Sequence, residues 1–274
     1  MITELLTVLF FLLSAYLFKR VHLSYRATKD DVYIAQFNPS NFEDIKRYIR
    51  CTGLNKLKVN IYLDFTLNNI RGTKNLHKIH KKELNVYQKV LTCLMEGLGN
   101  TEIPIGIFGF GEIETQDTEV FSVTSYQHCV TPSDAVQFYN ATINGLEMSG
   151  PRSFIPAIRH ATDQSRLSGQ HLVFIVTSGL PEDVQQNFKQ VVDSSWSDVL
   201  VVFIGVGSGP WNGITTLTRY SNEKKFSNAS YLLQNMYSDD IDFLRNIVLT
   251  TKGLHDNLLE DVKTVSESSQ FKND

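Results

Sequence analysis

The sequence predicts an α/β fold in which a doubly wound, mostly parallel sheet carries helices on both faces. The first observation is a set of three apolar runs that have no polar face: residues 59–65, 171–177 and 199–206. Such runs are typical of parallel strands that are buried on both sides. The second observation is that segments with helical periodicity separate these runs, as in a sheet covered by its own connections. The chain has 274 residues, 42% of them hydrophobic, which is enough for one large domain or two small ones.

The connecting elements follow in order along the chain. Residues 83–98 are predicted to form an amphipathic helix, because Val86, Val90, Leu94 and Leu98 lie four positions apart. Ser133 and Asp134 are suited to cap a later helix. The other predicted elements are strands over 103–110 and 120–123, the second at an edge, and helices over 133–148, 154–167, 182–194, 211–220 and 239–248.

Composition excludes several classes of protein. The net charge of −3 gives no basic excess of the kind that usually accompanies nucleic-acid binding, so no nucleic-acid partner is expected. The cysteines are Cys51, Cys93 and Cys129, and no two of them form a CxxC pair, which argues against a disulfide scaffold or a cysteine zinc module. We expect four regions: an apolar helix over 1–20, a linker and lead-in over 21–55, the α/β domain over 56–255 and a polar tail over 256–274.

The first region has an unusual apolar run. Residues 5–18 (LLTVLFFLLSAYLF) carry no charge, and counting from Ile2 gives about 25 Å of helix, slightly short of a hydrocarbon core of about 30 Å. Basic residues follow the run at once. This order favours a signal anchor that makes the chain a single-pass membrane protein with its domain on the cytoplasmic side. A cleaved signal peptide and a buried core helix are the alternatives.

Polar side chains follow the first predicted strand, at the edge of the sheet where such folds bind ligands. Asp64, Thr66 and Asn68 occupy alternate positions there. One carboxylate with two further oxygen side chains suits a hard cation such as Mg²⁺ or Ca²⁺. The same pattern also suits a locally hydrogen-bonded turn without any metal.

The segment 64–69 (DFTLNN) resembles the metal-ion-dependent adhesion site of von Willebrand factor A (vWA) domains, and more closely the copine form of that domain. The similarity continues in order over about residues 40–235, and its last segment is similar to one shared by copines and the plant RING-domain ligases related to them. The resemblance implies a vWA-type, Rossmann-like fold and protein binding at the carboxyl ends of the strands. The matching segments are 76–79 (LHKI), 85–88 (NVYQ), 108–112 (FGFGE), 120–122 (VFS), 150–158 (GPRSFIPAI), 176–179 (VTSG) and 204–211 (IGVGSGPW).

This chain departs from the family's pattern at the metal site. Arg152 stands where the resemblance implies a threonine after Gly-Pro, and Ser178 stands where it implies a second aspartate. We predict that Arg152 pairs with Asp64 in place of a metal, so that no cofactor is expected. Two alternatives stay open: Arg152 points to solvent beside an empty site, or weak Mg²⁺ or Ca²⁺ binding remains at Asp64, Thr66 and Asn68. The predicted binding face consists of Asp64, Thr66, Asn68, Arg152, Ser153 and Ser178.

These observations predict a non-catalytic protein-interaction module with a degenerate metal site, tethered to a membrane through its N-terminal helix. No motif of a nucleophilic, zinc-dependent or phosphate-binding enzyme occurs. A vWA domain that still binds its ligand through a metal is the first alternative. A relative of the ubiquitin ligases is the second; we expect neither the C2 modules of copines nor a RING module, because the residues before and after the domain are too few.

Overall fold

The computed structural model describes residues 12–20, 30–71, 74–99, 103, 105–124, 131–219 and 221–270, which fall into two compact units, Met1–Pro39 and Ser40–Asp274. In the first unit, residues 12–20 and 30–35 are helical. Within the described ranges no helix is both long enough and apolar enough to cross a membrane. The predicted membrane localisation is therefore wrong. Residues 1–11 of the predicted anchor and the basic residues within 21–29 lie outside the described residues, as does Cys129.

The second unit is built on a six-stranded sheet in the order β5-β4-β1-β6-β7-β8, which confirms the predicted α/β fold. Only β5 runs antiparallel to its neighbour; the other pairings are parallel. Strands β2 and β3 form a separate hairpin. The strands are β1 Lys58–Asp64, β2 Ile70–Arg71, β3 Lys74–Asn75, β4 Ile105–Phe110, β5 Phe121–Ser122, β6 His171–Thr177, β7 Val199–Gly205 and β8 Ala229–Leu233.

Helices cover the sheet, so every residue of β6 and β7 is buried. The start of the first predicted helix moves to Val86 because Asn85 caps it, and Thr131, not Ser133, caps the helix after β5. The helices of this unit are α1 Phe42–Thr52, α2 Val86–Leu98, α3 Pro132–Gly145, α4 Ile155–Ser168, α5 Val184–Ser194, α6 Ile214–Thr218 and α7 Asp240–Gln270.

Four features of this unit differ from the elements expected from the sequence. Helix α1 lies in the expected lead-in and buries Ile45, Tyr48 and Ile49. The hairpin β2–β3 and strand β8 were not expected. Helix α7 continues into the expected polar tail as far as Gln270, and Leu258 is fully buried there.

The order of the strands positions a crevice at the carboxyl ends of β1 and β6. The chain leaves β1 towards β4 on one side and later enters β6 on the other side of β1. Connections that diverge in this way leave a gap between neighbouring strand ends, where open α/β sheets bind ligands. We call this carboxyl-terminal edge of the sheet the top edge.

Candidate functional site

Asp64 ends β1 at the centre of the top edge, and its side chain is fully buried. Its Oδ1 atom accepts hydrogen bonds from the Thr66 amide (2.9 Å), the Thr66 hydroxyl (2.6 Å) and the Asn69 side-chain amide (3.1 Å). Its Oδ2 atom accepts from Arg152 Nε (2.6 Å) and from the Thr177 hydroxyl (2.7 Å). A carboxylate offers about four lone-pair sites, so these five donors use its accepting capacity.

Arg152 is the cation that faces this carboxylate, and its side chain is 3% exposed. Its guanidinium donates from Nε to Asp64, from one terminal nitrogen to Ser178 Oγ (2.7 Å), and more weakly from the other to the Leu180 carbonyl (3.4 Å). A buried ion pair is tolerated when further hydrogen bonds satisfy the remaining polar atoms, as they do here. The two side chains that the sequence predicts to pair are therefore in direct contact.

Gly179 makes room for the guanidinium. A Cβ atom at this position would lie 2.6 Å from an Arg152 terminal nitrogen, closer than real Cβ contacts allow. The backbone of Arg152 is also fixed, since its carbonyl accepts from the Glu182 amide at 3.0 Å. The turn after β6 thus leaves space for the guanidinium at Gly179 and bonds the Arg152 backbone through Glu182.

Asn69 orients the loop around Asp64. Its side-chain amide donates to the Asp64 carbonyl (2.9 Å), to Asp64 Oδ1 and to the Thr66 carbonyl (3.0 Å). The Tyr87 hydroxyl donates to Asn69 Oδ1 at 2.6 Å, which fixes the nitrogen of the amide towards Asp64. Burial raises the pKa of Tyr87 well above its usual value, so the phenol stays a donor.

His77 contacts the backbone of Asp64 and so helps to fix the position of the carboxylate. Its Nε2 atom lies 2.8 Å from the Asp64 carbonyl, and its Nδ1 atom lies 2.7 Å from the Tyr139 hydroxyl. Burial lowers the pKa of His77 to about 4, so the ring is neutral at pH 7. Because a carbonyl can only accept, we assign the proton to Nε2, and Tyr139 then donates to Nδ1. The ring also stacks on Tyr87, with centroids 4.0 Å apart.

The structure brings together four of the six side chains predicted for the binding face: Asp64, Thr66, Arg152 and Ser178. Asn68 is half-buried, and its neighbour Asn69 supplies the amide that bonds Asp64. Ser153 is half-buried as well, and its hydroxyl accepts from the Ile155 amide (3.3 Å) at the start of α4.

Sequence reasoning missed two members of the network, Asn69 and Thr177. Thr177 is the last residue of β6 and closes the apolar run 171–177. A polar side chain at a strand end is the signal that could have identified it. For Asn69 the sequence offers no comparable signal, except that it is the second asparagine in the loop after β1. Across the described ranges, no three His, Cys, Asp or Glu side chains are grouped so that they could hold a metal ion.

Comparison with known proteins identifies relatives of the folded unit. A family model for copines matches residues 75–259. Copine family protein 2 of Caenorhabditis elegans is 28% identical over 183 residues, which cover 62% of this chain and 2% of that protein. The E3 ubiquitin-protein ligase RGLG3 of Arabidopsis thaliana is 25% identical over 236 residues, which cover 77% of this chain and 64% of the ligase. The chain thus spans less than two thirds of the length of these curated relatives.

Solved structures also match this chain. Proximal thread matrix protein 1 from the mussel byssus has a TM-score of 0.49 at 13% identity, over 72% of this chain and 48% of that one. The manganese-loaded TRAP protein of Plasmodium vivax has a TM-score of 0.47 at 16% identity, over 70% of this chain and 74% of that one.

Proposed function

The chain belongs to the copine family, and from that premise we propose that it is a non-catalytic protein-interaction module that binds a protein partner at its top edge without a metal ion. The observation that carries the proposal is the buried pair in which Arg152 Nε lies 2.6 Å from Asp64 Oδ2. In this proposal the guanidinium is a permanent internal cation. It stands in for the divalent ion that the vWA resemblance implies at this position.

Electrostatics supports the absence of a metal. A divalent ion about 4 Å from a guanidinium is repelled by roughly 8 kcal/mol at an effective dielectric near 20. Asp64 is the only carboxylate in the network described above, and its oxygens already accept five hydrogen bonds. Ser178, where a second carboxylate is implied, accepts from Arg152 and brings no negative charge. The residues present therefore do not suit a divalent ion.

Residual metal-dependent binding is the second candidate. It requires Arg152 to leave Asp64, so that the oxygens of Asp64, Thr66 and Asn68 face an ion. The observation in its favour is that the carboxylate and the threonine hydroxyl of the loop are retained beside each other.

Ligase activity is the remaining alternative, because relatives such as RGLG3 are E3 ubiquitin-protein ligases by name. The chain spans 64% of that ligase, so the whole protein's activity is not carried over by the similarity. The described residues hold no grouping of His, Cys, Asp or Glu for a structural metal. A ubiquitin-transfer assay with the full chain is expected to give no product above a reaction without it.

Calorimetric titration of the full chain with MgCl₂ and MnCl₂ tests the proposal. The wild-type chain is expected to give no binding heat up to millimolar metal. The variant Arg152→Thr plus Ser178→Asp is expected to gain binding, because it removes the cation and adds a carboxylate. Micromolar binding to the wild-type chain that is abolished by Asp64→Ala would overturn the proposal.

Proximity labelling with the full chain, beside the same double variant, tests the partner side of the proposal. The wild-type chain is expected to label the same set of proteins in magnesium and after chelation by EDTA. The double variant is expected to lose part of that set or to make it metal-dependent. Labelling of the wild-type set that disappears in EDTA would favour the metal-dependent candidate.

A further inference from the structure

A small cleft opens at the top edge directly beside the ion pair. Its volume is about 60 Å³, and the described residues that line it are Asn69, Lys74, Leu76, Ser178, Ser208 and Gly209. Asn69 and Ser178 also belong to the network around Asp64 and Arg152. The cleft therefore reaches from solvent to the first side chains that hold the ion pair.

The charge of this cleft is positive. Among the described residues that line it, Lys74 alone carries a formal charge, and its side chain is exposed at the start of β3. None of the ion pairs found within the described ranges involves Lys74. Asp64 adds no net negative charge, because Arg152 neutralises it. An anion that enters the cleft thus meets an ammonium group that no carboxylate pairs with in the part of the chain that the structure describes.

Hydroxyl donors lie beside that ammonium. Ser178 Oγ accepts from the guanidinium of Arg152, and the Tyr87 phenol is an internal acceptor for the Ser178 proton. Donation to an anion therefore requires that proton to turn from Tyr87 into the cleft. A hydroxyl whose oxygen already accepts from a cation is polarised towards donation. The Ser208 side chain is exposed at the mouth of the cleft and can donate as well.

The size of the cleft admits a small polar group. Its volume of about 60 Å³ exceeds the ~10–15 Å³ that a single water needs, so a group larger than one water can enter. A carboxylate group fits such a space. Leu76 supplies an apolar wall against which the aliphatic stem of an acidic side chain can pack.

Resting on the proposed function, we infer that this cleft receives the carboxylate of an acidic side chain from the protein partner, held by Lys74 and by the hydroxyls of Ser178 and Ser208. The connection between β3 and α2 carries further exposed charge, Lys78, Lys81 and Lys82 against Glu83, which is positive on balance. Positive charge spread in this way attracts an acidic partner and raises its rate of association.

The test uses acetate as the probe, with acetamide as its uncharged analogue, in an NMR titration of the ¹⁵N-labelled full chain at constant ionic strength in EDTA. Acetate is expected to shift the amide signals of Ser178, Ser208 and Gly209 with a dissociation constant in the millimolar range. Lys74→Gln is expected to weaken this binding at least fivefold. The matched control is Lys189→Gln, which removes an exposed lysine of α5 and is expected to leave the binding unchanged.

Three results would overturn the inference: equal shifts with acetate and acetamide, equal binding by Lys74→Gln and the wild-type chain, or stronger localised shifts with inorganic phosphate than with acetate. A failure of the inference is distinguishable from a failure of the proposed function. If acetate shifts these signals only when Mg²⁺ is added, metal-free binding fails. If partner labelling survives EDTA while acetate has no effect on these signals, the carboxylate inference alone fails.

Discussion

The top edge around Asp64 and the apolar layer beneath it are equally buried, yet different forces stabilise them. The apolar layer packs side chains of β1, β4, β6 and β7 against α4 and α5, without charges. Its centre includes Phe110, Phe154, Val173, Ile175, Val191, Val201 and Phe203. At the top edge, one buried anion and one buried cation are held by directional hydrogen bonds.

The two regions differ in how much folding free energy is lost when a side-chain group is removed. In an apolar layer the free energy lost follows the number of methylene groups removed, so small changes have small effects. In a buried ion pair the removal of one partner leaves a full charge without its counter-charge, so even one substitution has a large effect. Four predictions test this contrast, in order of decreasing expected effect.

The largest effect is expected for Asp64→Ala. This change leaves the Arg152 guanidinium buried and unpaired, so we expect the free energy of unfolding to fall by about 3–5 kcal/mol in a urea titration. The control is Asp64→Ala combined with Arg152→Met, which leaves no buried charge behind and is expected to be more stable than Asp64→Ala alone. Additive losses in the double variant would show that the two side chains are not coupled.

The next effect concerns pH and His77. The pKa of this residue is lowered to about 4 by burial, against about 6.5 in an unfolded chain. Between these values the unfolded state binds more protons, so stability falls as the pH falls from 6.5 to 4, by roughly 3 kcal/mol for this residue. The stability difference between the wild-type chain and His77→Gln should therefore shrink over this range. A pH-independent difference would contradict the assignment of a neutral His77.

Neighbouring asparagines provide the third comparison. Asn69→Ala removes a donor to the buried Asp64 and leaves the Tyr87 hydroxyl without its acceptor, so a loss of about 1–3 kcal/mol is expected. Asn68→Ala, one residue earlier, is the matched control and is expected to stay within about 0.5 kcal/mol. Equal losses at the two positions would contradict the geometry of the loop.

The smallest effect is expected in the apolar layer. Ile175→Val removes one methylene group from a fully buried strand residue of β6. The expected loss is about 0.5–1.5 kcal/mol, with unchanged metal and acetate titrations. A loss as large as that of Asp64→Ala would remove the contrast between the two regions.

The fold could be predicted because its signals lie in the local pattern. The apolar runs of β1, β6 and β7 and the spacing of apolar residues in α2 are set by burial on the sheet, and the structure has strands and a helix there. The end of α7 carried a signal that the prediction did not use. Leu254 and Leu258 lie four positions apart and are both buried, so the helix continues where charged residues suggested a tail.

The site could be predicted in part. The alternation of Asp64, Thr66 and Asn68 assumed that the period of a strand continues into the loop. Residues Leu67–Asn69 instead form a 3₁₀ turn, which brings Asn69 back towards Asp64. Thr177 was missed because its position beside Asp64 depends on the register of β1 with β6, in which Leu63 pairs with Val176. Such register is a property of the sheet, and no local pattern carries it.

The most direct test of the central claim is anomalous diffraction from crystals of the full chain grown in manganese. We predict that the wild-type crystals show the Arg152 guanidinium against Asp64 and no manganese peak at the top edge, whereas crystals of the Arg152→Thr plus Ser178→Asp variant do show one. A manganese peak on the Asp64 carboxylate of the wild-type chain, with Arg152 displaced, would contradict the claim.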